Sequence, residues 1–223
     1  MKKILLILFI SISISAFGQK HFLGVQAGLS LTNLTAKDIF NDTEMRTGFI
    51  GGINYQLKIF EKYQIGIDAL YSQQGFIDKM VYVDEYGNET GGDEKFKFNY
   101  DYFNFPIKIG YETGNKTKII PRIGIVPSIL LKAETIMPRF DSNGNVINHE
   151  TVDTKDYVSK FDLGGIVELG FERKLSDNIL LCPSLTYKHS LTTFSNSDYF
   201  DGGKMRHYGF SLSVGLKYGL KIK

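Results

Sequence analysis

The chain carries one cysteine in 223 residues, no tryptophan and no long apolar run after its first residues. Each of these shortages excludes something. Cys182 alone cannot close an internal disulfide, so the fold must hold without covalent staples. The unbroken apolar run at residues 4–10 is far short of the roughly 20 residues a spanning helix needs. No helical period follows it, so any membrane insertion must be by strands. Charge of one sign is missing too: 26 basic residues stand against 24 acidic, which argues against a nucleic-acid partner. The chemistry of enzymes is equally thin. There is no G-x-S-x-G, no phosphate-cradling glycine loop and no paired cysteine motif, and His21, His149, His189 and His207 share no metal-ligand spacing. The expectation is no catalytic residue, no cofactor and no metal.

What is present begins with an export signal. Lys2 and Lys3 precede the apolar run, and Ala16-Phe17-Gly18 places small residues where a signal peptidase reads. Residues 1–18 are therefore read as a signal peptide cleaved between Gly18 and Gln19, and 19–223 as one domain. No cysteine stands at the cut, which disfavours a lipid-anchored lipoprotein. Removing the leader takes Lys2 and Lys3 away, leaving 24 basic and 24 acidic residues.

The mature chain alternates. From 208 to 222 the even positions read Tyr, Phe, Leu, Val, Leu, Tyr, Leu, Ile, while the odd positions from 207 to 221 are small or polar. Strict period two gives one bulky apolar face and one small polar face. Seven more segments behave alike: 23–31, 49–59, 63–71, 103–111, 119–131, 161–171 and 179–187. With 208–218 they hold 45 positions of apolar parity and not one Asp, Glu, Lys or Arg. At the chain's 22 % charged, about ten would be expected by chance. The interleaved positions hold seven charges (Lys58, Asp68, Lys108, Arg122, Asp162, Glu168 and Lys217) and ten glycines.

A soluble barrel also alternates, with its apolar face inward around a ligand. Its outward face then meets water and is rich in Lys, Glu and Thr. Here the second face is mostly Gly, Ser, Gln and Asn, which suits a crowded lumen. Phe, Leu and Ile suit lipid, where a Lys or Arg at the midplane costs about 2–4 kcal/mol. Tyr63 with Tyr71, Phe103 with Tyr111 and Tyr208 with Tyr218 sit eight to ten residues apart on one face, as aromatic girdles at two interfaces would. The fold class predicted is all-β: a closed antiparallel transmembrane barrel of about eight strands, in an up-and-down meander.

Connections alternate in length. Residues 60–62, 112–118 and 172–178 read as short turns; 32–47, 73–101, 132–158 and 188–206 read as long outer loops, with both termini periplasmic. Asp84-Glu85-Tyr86-Gly87-Asn88 and Asp141-Ser142-Asn143-Gly144-Asn145 look like hairpin turns at the tips of strands that continue past the membrane. Calcium is the sharper reading of these acidic turns, but glycine stands fourth where an EF-type loop wants it sixth. Pro106, Pro121, Pro127 and Pro183 fall inside proposed strands and are expected to mark bulges.

The seven inward charges are four positive and three negative, which suits mutual pairing across a narrow lumen better than a selectivity ring. A structural plug is expected, with a conducting channel as the rival. An outer-membrane protease or acyltransferase would need a Ser/His or Asp/His pair near the rim, and His207 with Ser190 or Asp201 is the one candidate.

These residues resemble the PorT-like, porin-family outer-membrane barrel proteins of Gram-negative bacteria. The resemblance rests on Leu70-Tyr71-Ser72-Gln73-Gln74-Gly75, on Tyr102-Phe103-Asn104-Phe105-Pro106-Ile107, on Gly124 and Pro127, on Asp162-Leu163-Gly164, and on Tyr187 with Ser190-Leu191-Thr192. It covers essentially the whole mature chain. The last strand resembles the signal read by the barrel-assembly machinery, with Ser213, Gly215, Tyr218 and Leu220 matching, although the chain continues to Ile222-Lys223 where many barrels end on an aromatic. The resemblance implies outer-membrane lipid as surroundings and the assembly machinery as a partner during insertion. The function expected is non-enzymatic: structural, or binding an unknown protein or surface ligand through the outer loops. A narrow porin or a component of a secretion complex is the alternative.

Overall fold

In the computed structural model, strand β10 (Met205–Leu220) pairs antiparallel with β1 (Lys20–Ala36) along its whole length, from His21 opposite Leu220 to Ala36 opposite Met205. That seam closes the sheet on itself. The structure describes residues 20–36, 40, 43–83, 86, 89–141, 146–196 and 203–220. The signal peptide with Gly18 and Gln19, most of the 84–88 and 141–145 turns, Asp201 and Ile222 lie outside the described residues.

From β1 the wall runs through β2 (Thr43–Ile59) and β3 (Tyr63–Val83) to β4 (Glu89–Asn104) and β5 (Ile107–Tyr111). It continues through β6 (Thr117–Phe140), β8 (Phe161–Lys174) and β9 (Ile179–Ser190) back to β10. β4 and β5 share one place in the wall, since both pair with β3 on one side and β6 on the other. The ring therefore has eight positions in sequence order, as the alternation predicts. β7 (Val146–Asp153) stands outside it, a hairpin partner to the far half of β6.

The break at Phe105-Pro106 has a physical cause. Phe105 N donates to Pro127 O, and Asp68 N donates to Pro106 O. Neither proline can return a bond, so two ladder donors are lost side by side. The prolines do not mark bulges, contrary to expectation. Pairing keeps its register through Pro121, Pro127 and Pro183, and the register shifts fall at 45–50, 81–83, 101–102 and 139–140. At Gly75 φ is +147°, and a Cβ there would sit 1.9 Å from Phe98 O. Only glycine lets β3 pass β4 that closely.

The outward parity is as read: Leu29, Ile123 and Leu212 are each more than 60 % exposed, while Asp68, Lys108, Arg122, Glu168 and Lys217 are buried inside. A continuous ring of exposed Leu, Ile, Val, Phe and Tyr belongs against hydrocarbon. The belt has a sharp edge. On β4, Phe98, Tyr100 and Tyr102 point inward with Lys95, Lys97 and Asp101 outward; from Phe103 on, the outward residues are apolar. On β6 the same edge falls at a bulge, where Leu131 and Lys132 both face out. Beyond it the strands continue into water, so much of 32–47, 73–101 and 132–158 is strand and not loop. One end of the barrel carries short turns, the other long hairpins; they are called the turn end and the hairpin end below.

A charge placed on the belt should therefore be costly. Ile123→Lys is expected to lose about 2–4 kcal/mol of folding free energy in urea titrations in phosphatidylcholine bilayers, and Arg206→Ala, beyond the belt, less than about 0.5 kcal/mol. Equal effects would contradict the assignment of the belt.

Candidate functional site: a filled lumen under an aromatic cap

Inward residues at equal heights on different strands meet across a narrow lumen. Lys108 on β5 pairs with Asp68 on β3 at 2.7 Å and with Glu168 on β8 at 2.9 Å. Arg122 on β6 reaches Glu168 at 2.6 Å and Glu172 at 3.1 Å. Glu172 also takes Lys217 of β10 at 2.9 Å, and Lys217 in turn donates to Gln56 of β2. Thr186 of β9 bonds Glu168. The guanidinium of Arg122 lies over Gly170, where a Cβ would be 2.2 Å from Nη1; a larger residue would displace the hub.

Gln64 carries the network toward the turn end. Its Oε1 accepts from Arg122 at 3.3 Å and its Nε2 donates to Glu112 at 2.9 Å. Glu112 is held between Lys58 and Lys118. Six of the seven predicted lumen charges thus join one connected set. The seventh, Asp162, does not. It lies nearer the hairpin end, accepts from Ser190 at 2.8 Å and Thr192 at 2.9 Å, and pairs with Lys188 at 3.2 Å.

Glu112, Lys118, Glu172 and Lys188 were not anticipated. Each continues the inward parity of its strand by one step past the segment boundaries drawn from sequence. Extending the alternation by a single residue at 171 and 187 would have found two of them.

Above Asp162 the lumen is closed by packing. Phe76, Tyr100, Tyr102, Phe194 and Met205 are fully buried, with Leu34, Phe98, Leu130, Ala133 and Val158 around them. Phe76 stacks on Phe98 at 4.3 Å between ring centroids, and Phe194 on His207 at 3.9 Å. Neither ring nitrogen of His207 has a hydrogen-bond partner, and the Ser190 hydroxyl is turned to Asp162. The His207–Ser190 pair is thus not assembled. Among the described residues no group of His, Cys, Asp and Glu could hold a metal. Cys182 is buried on the lumen face. Two gaps beside the network residues measure about 20 and 50 Å³, room for a few waters.

Of the strand positions resembling an assembly signal, Ser213 faces inward and bonds Ser184 at 2.9 Å, and Gly215 faces inward. Tyr218 and Leu220 face outward on the apolar belt. At the hairpin end, Glu44 binds Lys79 and Lys95, each at 2.8 Å. Those bonds, Lys79 first, hold its carboxyl down to about 2. The stabilisation from this bridge is fully present above the ordinary glutamate range and is lost progressively as pH falls from there to about 2.

The geometry defines an eight-stranded membrane barrel with a filled interior. Residues 17–196 match the family model described as outer membrane protein beta-barrel domain, and the chain belongs to that family. It is a protein of the outer membrane. No curated protein matches the sequence. Among solved structures it is similar to a major outer membrane protein from Thermus thermophilus, at 13 % identity and TM-score 0.56, covering 91 % of this chain and 100 % of that one. It is also similar to OprG from Pseudomonas aeruginosa, at 11 % identity, TM-score 0.48 and coverages of 91 % and 97 %. The outer membrane protease OmpT from Escherichia coli matches at 12 %, TM-score 0.42 and coverages of 91 % and 96 %. At such identities likeness extends to the fold alone.

The network predicts which substitutions couple. Glu168→Gln leaves Lys108 and Arg122 short of a partner and should cost about 3–5 kcal/mol in denaturant unfolding from micelles. Paired with Lys108→Met it should be non-additive by more than about 1 kcal/mol; paired with Asp162→Asn it should add within about 0.5 kcal/mol. Coupling of Glu168 to Asp162 as strong as to Lys108 would contradict the two separate clusters.

Proposed function

We propose that this protein is a non-enzymatic outer-membrane barrel that conducts nothing and presents its hairpin end to the exterior as a binding surface. The observation that carries the reading is the double seal: an ion-pair network across the lumen, then an aromatic core over its mouth. A pore wall would leave its charges facing water, whereas these face one another. The chain spends four strands, β3, β4, β6 and β7, on a sheet extending beyond the membrane belt, more than closing a barrel requires.

The turn end, with both described termini, is assigned to the periplasm, because short periplasmic turns and long outer connections are the rule for this class. Residues 1–18 serve as the export signal, removed after Gly18. Ser213, Gly215, Tyr218 and Leu220 lie on the closing strand and are assigned to recognition by the assembly machinery. Within the family the motifs around Tyr71, Phe103 and Asp162 favour a PorT-like branch.

Two measurements test this. Purified protein in planar bilayers should give no conductance above background; steady channels would overturn the sealed lumen. In whole cells a membrane-impermeant maleimide should label Tyr86→Cys, 82 % exposed at the hairpin end, and label Asn115→Cys only after permeabilisation. The reverse pattern would invert the barrel.

A further inference from the structure

At the turn end the barrel opens into a vestibule of about 820 Å³, below the sealed lumen. Among the described residues its lining is strongly cationic: Lys20, Lys58, Lys116, Lys118, Arg173 and Lys174, against Glu172 and Asp177. Most of these charges are not balanced locally. Glu172 is already taken by Arg122 and Lys217, and Lys58 and Lys118 share the single carboxylate of Glu112. Among the described residues, Lys20, Lys116, Arg173 and Lys174 have no ion-pair partner. Lys20 moreover stands directly opposite Lys58 in the β1–β2 ladder, a like-charged pair that destabilises a sheet, and the Glu112 carboxylate beside Lys58 is already shared with Lys118. Elsewhere in the lumen, among the described residues, Lys108, Arg122, Lys188 and Lys217 each have an acid beside them, so the vestibule is the exception.

We propose that the vestibule binds a phosphate-type anion. The set of donors suits that chemistry. Lysine ammoniums are compact charges that converge on tetrahedral oxyanions, Arg173 can add a bidentate fork, and Asn115 and Asn178 stand at the rim with neutral amides. The volume lies in the range of small-molecule sites and exceeds what one ion fills. A concave wall lined by one sign of charge concentrates counter-ions of the other. Asp177 stands in the turn that follows Lys174 and disfavours the closest approach there, which leaves Lys20 and Lys58, neighbours across the β1–β2 ladder, as the main anchoring wall. Two sources can present such a group: the headgroup of an anionic phospholipid in the inner leaflet, or a soluble periplasmic polyphosphorylated metabolite. Access from the periplasm rests on the orientation assigned above; binding itself does not.

The test is calorimetric titration of the full mature chain in neutral detergent with inorganic tripolyphosphate. Binding is expected, weakening as salt is raised, and weakened at least tenfold in the double variant Lys20→Gln, Lys174→Gln. Both side chains are exposed and make no ion pair, so the variant should keep its heat-modifiable folded band. The double variant Lys97→Gln, Lys132→Gln, at the other end, should bind as the parent does. Competition by dihexanoyl phosphatidylglycerol, but not by dihexanoyl phosphatidylcholine, supports the site with a headgroup as its source; no competition by either supports it with a soluble one. Absence of tripolyphosphate binding, equal binding by the Lys20/Lys174 variant, or binding of decaglutamate in its place would overturn the proposal. Because the measurement is made in detergent, its failure is distinct from an inverted barrel, which the whole-cell labelling detects.

Discussion

Everything in this molecule follows from the cost of an unpaired backbone amide in hydrocarbon. Each such group left without a partner costs several kcal/mol, so a spanning sheet cannot end on a free edge. The β1–β10 seam removes both edges at once. Closing after eight positions then fixes the interior as a space little wider than the side chains that fill it. That constraint explains why the inward face is rich in glycine and serine and why its few charges lie within reach of one another. It also explains why two prolines can interrupt a wall strand at one place and be tolerated: the neighbouring Phe105 and Asp68 amides still find carbonyls.

The interior is organised by height. Near the turn end and through the belt, ions pair across the lumen through Arg122, Glu168 and Glu172, whose removal one at a time leaves a buried charge unmatched. Toward the hairpin end, where the outside is water, the logic inverts: the interior becomes apolar and the charges move outward. Asp162 and Lys188 sit at the changeover. One chain thus uses a membrane-protein pattern and a soluble-protein pattern on the same strands, with the bulge at Leu131 and Lys132 adjusting the parity of β6 as it crosses.

This division explains what could be read beforehand. The barrel, its strand number and six members of the lumen network are written in the alternation, because lipid tolerates no exception on one face and a narrow lumen limits the other. The cap was missed for a related reason. From Phe96 to Tyr102 the chain still alternates, but the apolar residues have moved to the inward parity, so a search for outward apolar faces sees a polar loop. The separation of Asp162 from the network, and the pairing of Glu112 with Lys58 and Lys118, depend on heights around the ring. Those are set by stagger between strands, which the period of one strand does not contain. The proline positions were visible, but their consequence was not, since it depends on which neighbour each missing amide faces.

Closure of the ring is the claim on which the rest stands, and a cross-link across the seam tests it most directly. In a Cys182→Ala background, Ala27→Cys and Val214→Cys place two cysteines opposite each other on the outward face of β1 and β10, within the Cα separation a disulfide spans. Oxidation in isolated outer membranes should give an intramolecular disulfide in monomeric protein, and Ala27→Cys with Leu220→Cys, out of register, should give none. Absence of the first cross-link, or its formation only between chains, would contradict a closed eight-stranded barrel.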